Sequence, residues 1–221
     1  MTLKIRLGEV PPCPNLDFEL PLWGAGVGSV AGIDEAGRGA WAGPVAAAAV
    51  ILPPRAEIAT QLSGVRDSKE MTSEAREAWA IEIRALALAW GTGFASNQEI
   101  DALGIVPATR LAVARALEVL TQPPQHLLVD FIELPEVDLP QTAIVKGDAC
   151  SLSIACASVL AKTARDAQLR RLEDEYPGYG FARHKGYGTR QHQAAIQVLG
   201  PTPIHRFSFS PIKTIDEKSP E

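Results

Sequence analysis

The chain alternates short apolar runs with longer segments in which apolar residues return every three or four positions. Val27 to Asp34 and Val45 to Leu52 are runs of the first kind. Glycines follow the first and Pro53-Pro54 follows the second, which predicts two buried strands, the first leading into a glycine loop. Thr72, with Glu74 in the first turn, predicts a capped helix to about Arg84. Over Ala85 to Ala95 the apolar positions shift to period two through Leu86, Leu88 and Trp90, a strand pattern. Ser96-Asn97-Gln98-Glu99 has capping-box spacing and opens a short helix that Gly104 ends. Pro107 fits the first turn of another helix, to about Leu120. After Pro123-Pro124, His126 to Asp130 reads as a short strand ending on a carboxylate, and Thr142 to Val145 as one more. Ser151 to Glu175 is apolar through its first half and charged through its second, the pattern of a long, partly buried helix. Thr189 caps a last helix to Leu199, ended by Gly200-Pro201. Strands interspersed with helices predict an α/β fold: a sheet covered by helices, with a helical C-terminal region.

Composition narrows the class. The chain has 221 residues, 46% hydrophobic and 21% charged, which suits one folded domain, or one with a small appendage. Residues 1–25 are spotted with prolines and read as an irregular arm. Residues 216–221 are polar and read as a flexible tail. The longest apolar stretch, Ala40 to Leu52, is broken by Gly43 and Pro44 and is too short for a membrane span. The N-terminus lacks an apolar h-region, so no secretory signal is expected. Cys13, Cys150 and Cys156 have no metal-like spacing, which argues against a disulfide scaffold and for a reducing, cytoplasmic setting. The net charge of −5 excludes a globally basic nucleic-acid binder but leaves room for a basic groove.

Carboxylates supply the candidate chemistry. Asp34 and Glu35 stand where the first strand runs into Ala36-Gly37-Arg38-Gly39. Asp130 ends another strand, and Asp166 lies on the long helix. Adjacent strand ends would bring acids together, and a helix crossing the sheet could add another. Carboxylates are hard ligands suited to Mg²⁺ or Mn²⁺. Two such ions about 3.5–4 Å apart can activate water and stabilise the leaving oxygen of a phosphodiester. Three or four acids in one partly buried cleft cannot all stay ionised without a cation. No His/Cys cluster competes for zinc, and no G-x-S-x-G elbow supports acyl transfer. Each acid also has an ordinary reading. Asp130 could be a turn residue, Asp166 a surface partner of Lys162, and Asp34-Glu35 a solvated turn. Neighbours on a strand point to opposite faces, so that pair shares a site only if the strand ends or twists there.

Gly37-Arg38-Gly39 lacks the spacing of a nucleotide-binding loop. Its bare peptide groups could approach a substrate hydroxyl such as the ribose 2′-OH, or simply form a tight turn. From Tyr176 to His192 there are Arg183, Lys185 and Arg190, no acid, and Tyr176, Tyr179, Phe181 and Tyr187. That mixture suits phosphate contacts with stacking on a sugar or base, or a solvated loop whose aromatics cap the core. Asp67-Ser68-Lys69 is a capping turn or a place where Lys69 meets a phosphate.

Gly32-Ile33-Asp34-Glu35-Ala36-Gly37-Arg38-Gly39, followed by Ala42-Gly43-Pro44-Val45, resembles the signature of the ribonuclease HII family. The resemblance continues through Asp67-Ser68-Lys69, Leu128-Val129-Asp130, Lys146-Gly147-Asp148, Ser153-Ile154-Ala155 and Ala161-Lys162-Thr163-Ala164-Arg165-Asp166. It extends to His184-Lys185-Gly186-Tyr187-Gly188-Thr189 and His205-Arg206-Phe207-Ser208-Phe209. It implies a ribonuclease H-like mixed β-sheet flanked by helices over residues 26–175. Residues 176–215 would then form a C-terminal loop and helix sharing the substrate site. It implies an endonuclease acting on RNA in RNA–DNA hybrids and 5′ of single ribonucleotides in duplex DNA, leaving 3′-hydroxyl and 5′-phosphate ends. Ribonucleotide removal and RNA-primer cleanup are the implied roles, with Mn²⁺ or Mg²⁺ at a two-metal site. By motif match Asp34, Glu35, Asp130 and Asp166 would be the metal ligands. Gly37, Arg38 and Gly39 would hold the ribose 2′-OH, and Tyr187 would pack on the following deoxyribose. Lys69, Lys162, Arg165 and Lys185 would contact phosphates.

Phe131 departs from the small residue, commonly glycine, that follows the strand-end aspartate in the family. Ala36 and Arg38 distinguish the chain from the sister type, ribonuclease HIII. A monomer is expected, with no membrane partner. No clear sliding-clamp motif is present, and Phe207-Ser208-Phe209 is expected to pack on the body. The rival readings are a catalytically silent hybrid-binding protein of the same fold and another two-metal nuclease indifferent to a 2′-OH.

Overall fold

The computed structural model describes residues 2–3 and 10–216. Its centre is a six-stranded mixed sheet of β1 (Thr2–Leu3), β2 (Val30–Ala36), β3 (Val45–Ile51), β4 (Ala89–Ala95), β5 (His126–Asp130) and β6 (Gln141–Ile144), in the order β1-β6-β5-β2-β3-β4. β2, β3 and β4 form an antiparallel meander, while β5 runs parallel to β2 and β6 parallel to β5. The tail expected from residue 216 lies outside the described residues from 217 onward.

β3 explains why the sheet is covered on both sides. All seven of its residues are buried. Ala48 and Val50 join one core with Leu52, and Ala47, Ala49 and Ile51 join another. The first core packs under α3 (Ser73–Leu86) and α7 (Leu152–Glu175), and the second under α5 (Ile105–Glu118). Short side chains let the helices approach closely. A Cβ on Gly32 of β2 would lie 2.1 Å from the Ser153 carbonyl carbon of α7.

The expected caps Thr72, Ser96 and Thr189 are present, and Ser151 adds one at the start of α7. The side chains of Thr72, Ser151 and Thr189 each accept a bond from the backbone of the following helix, and Ser96 and Glu99 form a reciprocal capping box. α4 (Asn97–Leu103) and α9 (Arg190–Leu199) stop at glycines. Two differences have physical causes. α3 runs on to Leu86, with a last bond from the Ala87 N–H to the Ile83 carbonyl, so β4 begins at Ala89 rather than Ala85. The period of two over β4 holds with its phase inverted. Trp90 faces outward beneath the Arg84 guanidinium, and Ala89, Gly91, Gly93 and Ala95 face inward. Carbonyls of α5 occupy the space that a Cβ on Gly91 or Gly93 would need.

The proline-spotted arm contains α1 (Glu19–Gly24) and contributes β1. The remaining short helices are α2 (Ile58–Gln61), α6 (Gly147–Cys150), α8 (Phe181–His184) and α10 (Ile212–Asp216). Glu19 of α1 is buried and accepts bonds from the Ser151 hydroxyl and from the backbone and hydroxyl of Ser153. A carboxylate thereby satisfies donors at the N-terminus of α7, where negative charge is favoured.

Candidate active site

Strand register gathers the acids. Ile33 of β2 pairs with Val129 of β5, so the next residues, Asp34 and Asp130, stand side by side on adjacent parallel strands. Asp34 opposes Ala48, whose side chain lies in the α7-facing core, and so points to that face. β6 then turns through Lys146, which is left-handed at φ 58°, into α6 and delivers Asp148. One oxygen from each of Asp34, Asp130 and Asp148 lies within 4.8 Å of the others.

Each acid is held. Asp34 accepts the Glu35 N–H at 2.7 Å and a bond from the Ser158 hydroxyl of α7. Asp130 accepts the Gly147 N–H at 2.7 Å, and Asp148 accepts Lys69 Nζ at 2.9 Å. Burial, and then the charges of Glu35 and Asp130, raise Asp34 well above the usual carboxylate range. Burial, and then the charge of Asp148, raise Asp130 to about 7. Glu35, next to the end of β2, lies close enough to the group for its charge to raise both Asp34 and Asp130. It is half-buried against Arg38 Nη1 at 3.2 Å, and burial raises it despite that cation. The crowded carboxylates of Asp34, Asp130 and Asp148 are a donor set that fits a hard divalent cation.

Asp166 lies elsewhere. Ser158 is the α7 residue bonded to Asp34, and Asp166 is two turns further on, about 12 Å along the axis. There it accepts Lys162 Nζ at 2.6 Å and faces Arg76 Nη2 at 3.5 Å. The sequence reading placed Asp166 among the ligands and passed over Asp148, which the Lys146-Gly147-Asp148 motif contained. The usable signal was position: a residue that follows a strand neighbouring β5 reaches the end of Asp130's strand.

The other expected contacts divide. Lys69 is exposed but paired with Asp148. Lys162 is paired with Asp166, and its Nζ lies 5.8 Å from the centre of the Tyr187 ring. Lys185 turns its ammonium back onto the Ala182 carbonyl. Gly39 is exposed, with open space where a Cβ would stand. Gly37, at φ +93°, is bare for a different reason than substrate approach: a Cβ there would meet Arg165 Nε at 1.9 Å. Arg165 is 0% exposed, so the phosphate contact expected of it is replaced by bonds to the carbonyls of Ala42, Pro44 and Lys185. Arg206, equally buried and not singled out by the sequence, binds the carbonyls of Gly37, Arg38 and Gly43. Burial, and then the charge of Arg165, lower it to about 9.

The loop carrying Tyr187 rests on three buried histidines. The Tyr187 carbonyl faces His192 Nδ1 at 3.0 Å, which puts the proton on that nitrogen. His192 Nε2 then accepts from His205 Nε2 at 3.0 Å, and His205 Nδ1 accepts the Thr202 N–H at 2.8 Å. Burial lowers His192 and His205 to about 4, so the chain of bonds is between neutral rings at pH 7. Phe207 and Phe209 pack against the cores, as expected.

A mixed sheet with buried carboxylates at the ends of neighbouring strands, flanked by helices, defines a metal-dependent phosphodiester hydrolase of the ribonuclease H type. A family model described as Ribonuclease HII matches residues 31–212. Ribonuclease HII of Dehalococcoides mccartyi is 50% identical over 203 residues, 92% of this chain and 96% of that protein. Ribonuclease HII of Geobacillus kaustophilus is 52% identical over 198 residues, 90% of this chain and 74% of that protein. Among solved structures, a chain of the PCNA:RNase HII complex from Archaeoglobus fulgidus is similar with a TM-score of 0.70 and 26% identity, over 82% of this chain and 95% of that one. The chain belongs to the ribonuclease HII family and is a metal-dependent endoribonuclease. Among the described residues no helix is long and apolar enough to cross a membrane.

Proposed function

We propose that the chain cuts RNA in RNA–DNA hybrids, and cuts 5′ of single ribonucleotides in duplex DNA, leaving 3′-hydroxyl and 5′-phosphate ends. The observation that carries this reading is the convergence of Asp34, Asp130 and Asp148 within 4.8 Å at the end of β2 and β5. These three, with Glu35 beside them, would hold two Mn²⁺ or Mg²⁺ ions. What such ions supply when bound is Lewis acidity toward water and a phosphodiester.

The chain's own residues do the rest. The Gly147 N–H and Lys69 Nζ fix the rotamers of Asp130 and Asp148 before substrate arrives, so little reorganisation accompanies the reaction. Arg38 holds Glu35 and carries the open backbone of Gly39 beside it, where a ribose 2′-OH can be recognised by peptide groups. Tyr187, 36% exposed, presents a ring for the deoxyribose after the ribonucleotide. Lys162 and Lys69 stand near enough to the acids and the ring to meet phosphates. In this reading residues 26–175 form the catalytic body and residues 176–215 supply the ring and its support. Ribonucleotide removal from DNA and primer cleanup follow as roles. The relative from Archaeoglobus fulgidus was solved with PCNA, so a sliding clamp is a candidate partner. Phe207 and Phe209 are already packed and would not be the contact.

The test uses a labelled DNA duplex with one internal ribonucleotide, Mn²⁺ or Mg²⁺, and EDTA and all-DNA controls. One EDTA-sensitive cut 5′ of the ribonucleotide is expected, and Asp130→Asn should abolish it while leaving duplex binding intact. Cleavage of the all-DNA control would overturn the 2′-OH reading. Binding without cleavage by the wild-type chain would favour a silent hybrid-binding protein.

A further inference from the structure

Arg165 joins two loops that come from distant parts of the sequence. Its Nε donates to the Pro44 carbonyl at 2.9 Å and its Nη2 to Ala42 at 3.2 Å, both in the turn that follows Gly37-Arg38-Gly39. Its Nη1 donates to the Lys185 carbonyl at 2.9 Å, two residues before Tyr187. The guanidinium carbon lies 5.4 Å from the centre of the Tyr187 ring. The two loops also touch directly. The Trp41 N–H donates to the Gly186 carbonyl at 2.8 Å, and a Cβ on Gly186 would lie 2.5 Å from the Ala42 oxygen.

Burying a guanidinium is costly, and no carboxylate lies within ion-pair distance of Arg165 among the described residues. An apolar side chain of similar size would fill the space at less cost. What an apolar chain lacks is the planar fork, whose donors point in fixed directions. Arg206 makes the contrast. It is buried nearby and also binds carbonyls, yet its three partners all lie in residues 37–43 and none in the Tyr187 loop.

We propose that Arg165 is the positioning residue that sets the spacing between the ribose-facing loop 37–39 and the Tyr187 ring. It would thereby set the preference for an isolated ribonucleotide over a continuous hybrid. The inference rests on the proposed reading that those two elements meet successive sugars. An isolated ribonucleotide offers one register in which both can engage. A displacement of about 1 Å between them is enough for a loss on the order of 100-fold. A continuous hybrid offers a ribose at every step and tolerates the error.

The experiment is a double-mutant cycle of Arg165→Lys and Tyr187→Ala. It is read as the ratio of kcat/KM on a single-ribonucleotide duplex to kcat/KM on a uniform RNA–DNA hybrid, with thermal unfolding as a control. Each single variant is expected to lower the ratio about 100-fold, and the double variant no further than Tyr187→Ala alone. Arg206→Lys, run in parallel, should lower both substrates alike. If Tyr187→Ala leaves the ratio unchanged, the reading of the Tyr187 loop fails. If it lowers the ratio while Arg165→Lys does not, or the two effects multiply, the role of Arg165 is overturned and the loop reading stands. Arg165→Gln removes the buried charge and repeats the cycle should the lysine variant not fold. Failure of both to fold would make Arg165 a folding residue and overturn the proposal.

Discussion

Asp148 stands where the sequence analysis expected Asp166, and paired variants separate the two. In Asp148→Asn the perturbation removes one of three carboxylates within 4.8 Å of one another. At that distance, with an effective dielectric constant of 20, each like-charge pair costs about 3.5 kcal/mol when both are ionised. The lost partner is Lys69, whose side chain is 75% exposed, so that ion pair is worth about 0–1 kcal/mol. The metal-free variant at pH 8 should therefore be more stable than wild type, by about 1–2 kcal/mol after screening. Asp166→Asn does the opposite. It strands Lys162 and Arg76, whose side chains are only 20% and 12% exposed. Breaking a fully buried pair costs about 3–5 kcal/mol. Allowing for partial exposure, about 2 kcal/mol is expected, a fall of about 4–8 °C in Tm for a chain of this size.

Thermal unfolding against Mn²⁺ reads out both. At a concentration one hundred times the wild-type Kd, binding stabilises by about 2.7 kcal/mol. Asp166→Asn should keep that increment from its lower baseline. Asp148→Asn, with an affinity tenfold weaker, should keep about 1.4 kcal/mol. A full Mn²⁺ increment in Asp148→Asn together with its loss in Asp166→Asn would refute the assignment of Asp148 to the ion-holding group.

The raised pKa values give a pH dependence of known sign. Asp130 titrates near 7 when folded and near 3.8 as a free group, so its stabilising contribution is complete below about 4 and is lost as pH rises through 7. In EDTA, Tm should fall between pH 5 and 8, the slope should shrink in Asp130→Asn, and Mn²⁺ should cancel it; a rising Tm would count against the crowded carboxylates. Phe131 is left-handed at φ 60° and 61% exposed, in a tight turn closed by the Ile132 N–H and the Asp130 carbonyl at 2.7 Å. Phe131→Gly removes about 1–2 kcal/mol of backbone strain against about 0.5–1 kcal/mol of added chain entropy. Chemical denaturation should show a gain of about 0.5 kcal/mol, and a loss above 1 kcal/mol would mean that the ring packs.

The sequence made local features legible. Thr72, Ser96 and Thr189 act within one turn, and each caps the helix its spacing indicated. The pairing of Asp34 with Asp130 was legible too, because both end apolar runs. Features set by long-range contact were not. Period two over Ala85 to Ala95 shows a strand but not which face is inside, and carbonyls of α5 decide that for Gly91 and Gly93. Gly37 looked like a place for substrate because nothing local reveals that Arg165, far along the chain, fills the space beside it. Arg165 was expected to meet a phosphate, and Arg206 stood only as part of a motif. Only the assembled fold shows that their donors are used up by main-chain carbonyls.

The alanine-rich middle strand has a consequence for altering this molecule. β3 and its neighbours meet α7 and α5 almost main chain to main chain, at Gly32 against Ser153 on one side and at Gly91 and Gly93 against α5 on the other. A contact of that kind has no side-chain cushion, so an added methyl cannot be absorbed by a change of rotamer and must move a whole helix. α7 carries Ser158, Lys162, Arg165 and Asp166 as marks on one ruler. A larger residue anywhere along the central strands would slide that ruler relative to Asp34 and Asp130. Improvements in heat resistance are therefore to be sought at solvent-facing positions such as Val198, 82% exposed, whereas the central strands are where specificity would be damaged first.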